Sequence, residues 1–293
     1  MATAVICEFN PFHNGHKYLL ESAKNVLKEP VIAIMSGSFT QRGEVAVCDK
    51  FVRAKSALEN GADLVLEMPV VFSLSGAEGF AKAGVAIASA FDCINHLAFG
   101  SESGDCELLK KSANAVCDER VQALVRDGMK NGGYYPHELE NAVKTVFGDE
   151  ISSVLCEPNN ILGVEYIKAL NGTGVEPFSV ARTGTAHDSQ IAGEGFASAS
   201  HIREMLRNGE NAKKYAPYIP DEITFPENLD RPLLYRLRTM TRENIAKLPD
   251  VGEGLENRIA DAAVRCSTSS EIADLVKTKR YTCLLYTSPS PRD

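Results

Sequence analysis

Short apolar runs alternate with helix-like segments through the first two-thirds of the sequence. The runs contain few polar breaks, which indicates strands buried on both faces. They cover residues 4–6, 31–35, 63–68, 95–99 and 175–181, with helical patterns at 17–27, 50–60, 75–90 and 158–170 between them. This alternation predicts an α/β fold, with a Rossmann-like parallel sheet covered by helices on both faces.

The remaining segments suggest how the chain divides. Residues 1–216 are predicted to form the sheet domain, with a polar and mostly helical insertion at about 107–146. A proline-dotted stretch at 217–232 is predicted as a linker, and 233–282 as part of an α-helical domain. Residues 283–293 leave the helical pattern for a Ser/Pro string. They resemble translated adapter sequence, so we expect a non-native tail on a truncated chain.

Composition excludes several classes of protein. No run is long enough for a membrane span, and no signal-peptide pattern opens the sequence. Eight cysteines without a CxxC spacing favour reduced thiols and a cytoplasmic location. A net charge of −8 argues against nucleic-acid binding by the whole surface. Residues 229–282 carry ten Lys or Arg against eight Asp or Glu, so this part is the better candidate for contacting a polyanion.

The first predicted strand leads directly into His13-Asn14-Gly15-His16 and then into a helix. A helix N-terminus presents unpaired N–H groups and partial positive charge, and two imidazoles can donate to phosphate oxygens. Gly15 would let a ligand approach the backbone closely. The position after a strand is where open parallel sheets bind nucleotides. The motif therefore predicts attack on a nucleotide α-phosphate with pyrophosphate leaving. Surface or structural histidines remain an alternative, whereas no nearby cluster completes a zinc site.

Further distinctive blocks lie at 8–16, 35–43, 61–69, 99–102, 158–163, Arg182 and 198–203. Over residues 1 to about 282, the sequence resembles one family, the bacterial tRNA(Met) cytidine acetate ligases of the HxGH nucleotidyltransferase superfamily. The resemblance implies an enzyme that uses ATP to activate acetate as acetyl-adenylate. It further implies transfer of the acetyl group to the wobble cytidine of elongator tRNA(Met), giving N4-acetylcytidine.

The resemblance also implies a set of site residues. His13 and His16 would contact the triphosphate, with His16 stabilising the charge that develops on the α-phosphate. Ser200 and Arg203 would hold the β- and γ-phosphates, and Ser200 is also predicted as the N-cap of its helix. The implied ATP contacts are Ile6, Cys7, Glu8, Phe9, Asn10, Pro11, Phe12, His13, Asn14, Gly15, His16, Lys17, Tyr18, Leu19, Gly100, Asn159, Asn160, Arg182, Ser200 and Arg203.

Acetate or the incoming base is expected near the loop that follows the second strand, at Ser36, Gln41 and Arg42. Ordinary loop residues would give the same pattern there. Asp63 and Glu67 are interpreted as structural carboxylates, and Cys7 as a packing residue. We therefore predict no protein metal site, and Mg²⁺ is expected to arrive with ATP.

Two other functions fit part of the sequence. A coenzyme-type adenylyltransferase shares the histidine motif, which by itself cannot separate the two activities. The additional C-terminal helical unit favours a large substrate such as tRNA. A non-catalytic nucleotide- or RNA-binding protein is disfavoured by the intact histidine pair.

Overall fold

The fold is built on one parallel sheet of five strands. The computed structural model describes residues 1–41, 43–182, 195–249, 251–252 and 254–277. The strands are β1 (Ala2–Cys7), β2 (Val31–Ser36), β3 (Leu64–Met68), β4 (Ile94–Ser101) and β5 (Glu176–Ala181). Their spatial order is β3-β2-β1-β4-β5, and every neighbouring pair is parallel. The predicted fold class is confirmed.

Helices occupy the connections between strands and most of the chain after β5. The helices are α1 (Asn14–Leu27), α2 (Lys50–Glu59), α3 (Val70–Ser73), α4 (Ala77–Ser89), α5 (Cys106–Cys117), α6 (Glu119–Lys130), α7 (Tyr135–Phe147), α8 (Asp149–Ser153), α9 (Pro158–Leu170), α10 (Ala199–Arg207), α11 (Asp230–Thr239), α12 (Arg242–Ile245), α13 (Leu255–Arg265) and α14 (Ser269–Val276), with 3₁₀ turns at Val154–Cys156 and Pro226–Leu229.

The central strand β1 divides its side chains between two apolar cores. Ala4 and Ile6 pack into one core together with α4, α5 and α9. Val5 and Cys7 pack into the other, beneath α1 and α2. Because successive strand side chains point to opposite faces, a strand covered on both sides must be apolar throughout. That requirement explains the unbroken apolar run from which β1 was predicted.

The strand order reverses between β1 and β4. Chain order runs outward from β1 to β3 on one side and from β4 to β5 on the other. Loops that leave such a point diverge at the carboxyl edge of the sheet and open a crevice there. The turn at residues 8–13 leaves β1 at this crevice, and Gly100 lies near the end of β4 beside it.

The C-terminal helices form a small core of their own. Leu234, Leu255, Ala263 and Ile272 lie in a cluster built from α11, α13 and α14. Helix α11 begins at Asp230, three residues before the predicted start of the helical unit. The predicted insertion at 107–146 corresponds to α5–α7, which contribute to the larger core of the sheet domain. The predicted tail at 283–293 lies outside the described residues.

Candidate active site

The turn after β1 is held by its own histidines. His13 is the N-cap of α1, and its Nδ1 accepts a hydrogen bond from the backbone N–H of Gly15 at 3.0 Å. The Nδ1 of His16 accepts from the backbone N–H of His13 at 3.3 Å. Since a neutral imidazole that accepts at Nδ1 carries its proton on Nε2, both rings are held as Nε2–H donors.

The two rings form a buried stack with aromatic neighbours. Their centroids lie 3.7 Å apart, and Phe9 meets the His16 ring edge-on at 4.9 Å. Burial, together with the charges of Arg182 and Arg203, lowers the pKa of His13 to about 3. Burial and neighbouring His13 also hold the pKa of His16 well below its usual value. Both residues are therefore neutral hydrogen-bond donors near pH 7, and neither acts as a cation.

Gly15 makes room for the cap. A Cβ at this position would lie 2.9 Å from Cε1 of His13 and 3.1 Å from its Nδ1. Any side chain there would displace the His13 ring from the N–H that it caps. Glycine at position 15 is therefore required by the packing of the His13 ring, and it also leaves room for a ligand to approach the backbone.

A buried arginine supports the turn from below. Arg53 is only 1% exposed. Its guanidinium donates to four backbone carbonyl oxygens, those of Glu8 at 2.6 Å, Ser36 at 3.1 Å, Cys48 at 3.1 Å and Gly37. It thereby joins the carboxyl ends of β1 and β2. A guanidinium can satisfy this many carbonyl groups at once because its donors form a rigid fork.

Residues far along the chain fasten the other side of the turn. The backbone N–H of Asn14 donates to the carbonyl of Tyr215 at 2.9 Å. Its side-chain amide donates to the carbonyls of Gly195 at 2.8 Å and Lys214 at 3.1 Å. Arg203 donates to the carbonyl of Asn10 at 2.8 Å. The segment around α10 is thus tied to the histidine turn by contacts on both sides.

Helix α10 brings a second helix N-terminus to the site. Its N-cap is Ser198, whose hydroxyl accepts from the backbone N–H of His201 at 3.1 Å. The prediction that Ser200 caps this helix is wrong, because the helix begins at Ala199, one residue before it. Ser200 lies in the first turn, where Arg203 donates to its hydroxyl at 3.3 Å. Both side chains line the cavity described next.

A cavity of about 540 Å³ opens over the carboxyl edge of the sheet. At its polar end two cations, Arg182 and Arg203, belong to the side formed by β5 and α10. Two carboxylates, Glu8 and Glu44, lie towards β2. The opposite end runs between α4, α7 and α9, where Glu78 and the Lys168–Glu165 ion pair line it beside apolar side chains. The apolar residues there are Phe80, Val116, Tyr135, Leu139, Leu155 and Leu162. The volume is in the usual range for a small-molecule site.

Comparison with known proteins shows which family the chain belongs to. The family model for HIGH Nucleotidyl Transferase matches residues 1–284. The tRNA(Met) cytidine acetate ligase of Clostridium tetani is 36% identical, and the alignment covers 96% of this chain and 75% of that protein. The enzyme of the same name from Thermoanaerobacter sp. strain X514 is 38% identical over 95% of this chain and 74% of its own. The chain belongs to the tRNA(Met) cytidine acetate ligase family.

Solved structures in this ligase family share the fold. The apo crystal structure of Thermotoga maritima TmcAL superimposes with a TM-score of 0.86 at 33% identity, covering 96% of this chain and 72% of that one. A second crystal structure of the same protein, bound with alpha-thio ATP, gives a TM-score of 0.84, again at 33% identity, and covers 96% of this chain and 71% of that one.

The structure separates the expected ATP contacts into residues that reach the cavity and residues that do not. Pro11, Phe12, Asn14, Lys17 and Asn160 lie outside the lining. The others lie along it: Ile6, Cys7, Glu8, Phe9, Asn10, His13, Gly15, His16, Tyr18, Leu19, Gly100, Asn159, Arg182, Ser200 and Arg203. A Cβ on Gly100 would meet protein atoms at no less than 3.6 Å, so the protein itself does not require glycine there. The expected contact with a nucleotide stays a prediction.

Asn159 and Asn160 are both held by Glu102. The carboxylate accepts from Nδ2 of Asn159 at 2.6 Å and from the backbone N–H of Asn160 at 2.8 Å. The side chain of Asn160 is buried, and its Oδ1 accepts from the backbone N–H of Ser103 at 3.0 Å. Glu102 thus occupies the N-terminus of α9, where a negative charge is stabilising. Asn160 lies behind the cavity wall and joins α9 to the end of β4.

The residues expected to contact acetate also differ in whether they line the cavity. Gln41 lines the cavity, and its backbone N–H donates to the Glu8 carboxylate at 2.5 Å. Ser36 is fully buried outside the lining, and its carbonyl accepts a hydrogen bond from Arg53. Its hydroxyl has no hydrogen-bond partner among the described residues. Arg42 lies outside the described residues. A contact between these three residues and acetate stays a prediction.

The structural interpretation of Asp63, Glu67 and Cys7 agrees with their contacts. Asp63 pairs with Lys24 at 2.8 Å and accepts from the backbone N–H of Val31. Glu67 pairs with Lys50 at 2.7 Å. The thiol of Cys7 lies 3.7 Å from the carbonyl oxygen of Ile34, and burial raises its pKa, so it is a poor nucleophile.

Within the part of the chain that the structure describes, no three His, Cys, Asp or Glu side chains are grouped closely enough to hold a metal ion. None of the described helices is long and apolar enough to span a membrane.

Sequence reasoning missed Arg53, Glu102 as an anchor, and Glu44. Arg53 falls within an ordinary helical pattern, so its burial carries no local signal. Glu102 was seen as part of a block, but its partners are 57 and 58 residues away in the sequence. Glu44 directly follows the block at 35–43, and a single glutamate in a loop carries no local signal.

Proposed function

We propose that this chain activates acetate with ATP and acetylates the wobble cytidine of elongator tRNA(Met). The main support is the pair of neutral Nε2–H histidines at a helix N-terminus, facing a cavity that also contains Arg182 and Arg203. These donors suit charge that develops on an α-phosphate and on a leaving pyrophosphate. The names of the relatives supply the acyl acceptor.

The proposed first half-reaction forms acetyl-adenylate. A carboxylate oxygen of acetate attacks the α-phosphorus of ATP, and the bond to pyrophosphate breaks. The Nε2–H groups of His13 and His16 stabilise the α-phosphate in the transition state. Ser200 and Arg203 bind the β- and γ-phosphates at the start of α10. Mg²⁺ arrives with ATP and neutralises its phosphate charge.

The second half-reaction transfers the acetyl group. AMP is a much better leaving group than the oxygen of free acetate, so the exocyclic amine of cytidine can take the acetyl group. The C-terminal helices are proposed to contact tRNA. Helix α11 exposes Tyr235, which is 72% accessible, beside the exposed Arg231 and Arg236. An exposed aromatic ring on the same helix as exposed arginines suits stacking on bases and contact with phosphate. The proposed location of the enzyme is the cytoplasm.

The experiment is a two-stage assay on the whole chain. Acetate-dependent ATP–pyrophosphate exchange reports the adenylate, and mass spectrometry of digested tRNA(Met) reports N4-acetylcytidine. We expect both signals, and we expect His16→Ala to abolish the exchange. Exchange that depends on a phosphorylated coenzyme precursor, and not on acetate, would instead indicate a coenzyme adenylyltransferase. ATP binding without either exchange would indicate a non-catalytic protein.

A further inference from the structure

The geometry points to Glu44 as the general base that takes the proton from the acceptor amine during acetyl transfer. This inference rests on the proposed function and concerns its second half-reaction. It is carried by the position of Glu44 on the cavity wall, by the contacts that fix its loop, and by the division of charge across the site.

The loop that carries Glu44 is fastened to the histidine turn. The backbone N–H of Ala46 donates to the carbonyl of Ser38, and Phe39 forms an antiparallel bridge with Val45. The carbonyl of Glu44 accepts from both the N–H and the hydroxyl of Thr40, at 2.9 and 3.2 Å. These contacts hold the two arms of the loop together and fix the backbone of Glu44.

Two further bonds place this loop against the end of β1. Gln41 donates to the Glu8 carboxylate, and the N–H of Val47 donates to Oδ1 of Asn10 at 2.7 Å. Glu8 and Asn10 belong to the turn that presents the histidines. Glu44 therefore lines the cavity beside that turn, on the side of β2.

The in-line geometry of the proposed first half-reaction places the acyl group on the β2 side of the cavity. Displacement at phosphorus places the attacking and leaving oxygens in line on opposite faces. Arg203 and Ser200 hold the leaving pyrophosphate on the side of α10, so acetate must enter from the opposite side. The acyl carbon of the adenylate then faces Gln41 and Glu44, and the acceptor amine must reach it there.

The carboxylate of Glu44 is available for proton transfer. Glu8 already accepts a hydrogen bond from Gln41. Among the described residues, the Glu44 side chain has no hydrogen-bond or ion-pair partner. In the transfer step the cytidine N4 forms a bond to the acyl carbon. The bond from that carbon to the phosphate oxygen breaks, AMP leaves with the electron pair, and the N–H proton goes to Glu44.

The same position has an opposite effect on the first half-reaction. Acetate is an anion until it is joined to AMP, so a nearby carboxylate weakens its binding. Replacement of Glu44 by glutamine removes this repulsion together with the base. The change should therefore lower the KM for acetate while it slows acetyl transfer, which a purely structural role would not produce.

The test compares Glu44→Gln with Glu59→Gln, an exposed carboxylate at the end of α2. Acetate-dependent pyrophosphate exchange measures adenylate formation, and single-turnover transfer from preformed acetyl-adenylate to tRNA(Met) measures the second step. For Glu44→Gln we expect exchange within about threefold of the unaltered protein and a lower KM for acetate. We expect transfer about 100-fold slower or more, and no change in either step for Glu59→Gln.

Each other outcome has a defined meaning. Transfer at the unaltered rate in Glu44→Gln overturns the proposal. Loss of exchange that is restored by raised Mg²⁺ also overturns it, since the carboxylate would then hold the metal–nucleotide complex. If the unaltered protein forms acetyl-adenylate but does not acetylate tRNA, the proposed function fails at its acceptor. Glu44 then has no transfer step to serve.

Discussion

The ring of His13 occupies the space that a side chain on Gly15 would need. The 2.9 Å separation between the His13 ring and a Cβ built on Gly15 is shorter than van der Waals contact allows. The N-cap of α1 and the orientation of the His13 ring, which is proposed to be catalytic, therefore both require that residue 15 has no side chain. One small substitution tests this dependence.

We expect Gly15→Ala to lower the rate of pyrophosphate exchange by about 100-fold, because the displaced His13 ring no longer donates to the α-phosphate. Loss of the cap should cost roughly 1 kcal/mol of unfolding free energy, measured by urea titration. The control for the exchange rate is Ser89→Ala at the far end of α4. An unaffected exchange rate in Gly15→Ala would contradict this explanation of the motif.

The low pKa of His13 predicts a loss of stability in acid. In the folded protein this pKa is about 3, whereas an exposed histidine titrates near its usual value of 6.5. Between these two values the unfolded chain binds a proton that the folded chain does not. The free energy of unfolding should therefore fall as the pH drops from about 6.5, by up to about 1.4 kcal/mol per pH unit for His13.

Urea titrations at pH 7.5 and pH 5.5 measure this effect. The lowered pKa of His16 contributes in the same direction. The His13→Gln variant should lose less stability between the two pH values than the unaltered protein. An equal loss in both proteins would show that other groups control the acid sensitivity.

The contacts of Asn14 predict an energetic coupling between the two halves of the proposed ATP site. In Asn14→Asp, a carboxylate would face the carbonyls of Gly195 and Lys214, which removes both side-chain hydrogen bonds and adds repulsion. We expect α10 to shift, and the affinity for ATP to fall about tenfold by calorimetry.

A double-mutant cycle separates this coupling from a general loss of stability. Ser200→Ala should weaken ATP binding less in the Asn14→Asp background than in the unaltered protein, because Ser200 is already displaced. Additive effects would argue that Asn14 merely stabilises the fold. Asn131→Asp, at an exposed helix end, serves as the matched control.

Arg53 predicts the largest effect on stability. In Arg53→Met, the four carbonyl groups that it binds lose their donor within the protein interior. We expect a loss of roughly 3 kcal/mol or more in the free energy of unfolding. Arg53→Lys should be intermediate, since an ammonium has three donors without the fork geometry. Arg126→Met on the exposed face of α6 provides the comparison, and an equal loss there would refute the role of Arg53.

The centre of the sheet could be predicted from sequence because β1 and β2 are buried on both faces and must be apolar throughout, as Val5 and Ile6 illustrate. The histidine turn could be predicted because its residues are contiguous. The contacts that Arg53 and Arg203 make with the turn could not be predicted, since these residues reach Glu8 and Asn10 across long stretches of chain. The exact start of a helix is also hard to predict. Ser198 and Ser200 carry the same local N-cap signal, and in the folded protein Ser198 is the N-cap.

The bonds from Asn14 to Gly195, Lys214 and Tyr215 connect residues that are separated by about 200 positions. Protein synthesis proceeds from the N-terminus, so the histidine turn is synthesised early and the residues that bind Asn14 are synthesised much later. Until the chain around residue 215 has left the ribosome, the turn lacks the contacts that Asn14 makes with this later segment. A nascent chain is thus unable to complete the proposed ATP site until most of the sheet domain has been translated.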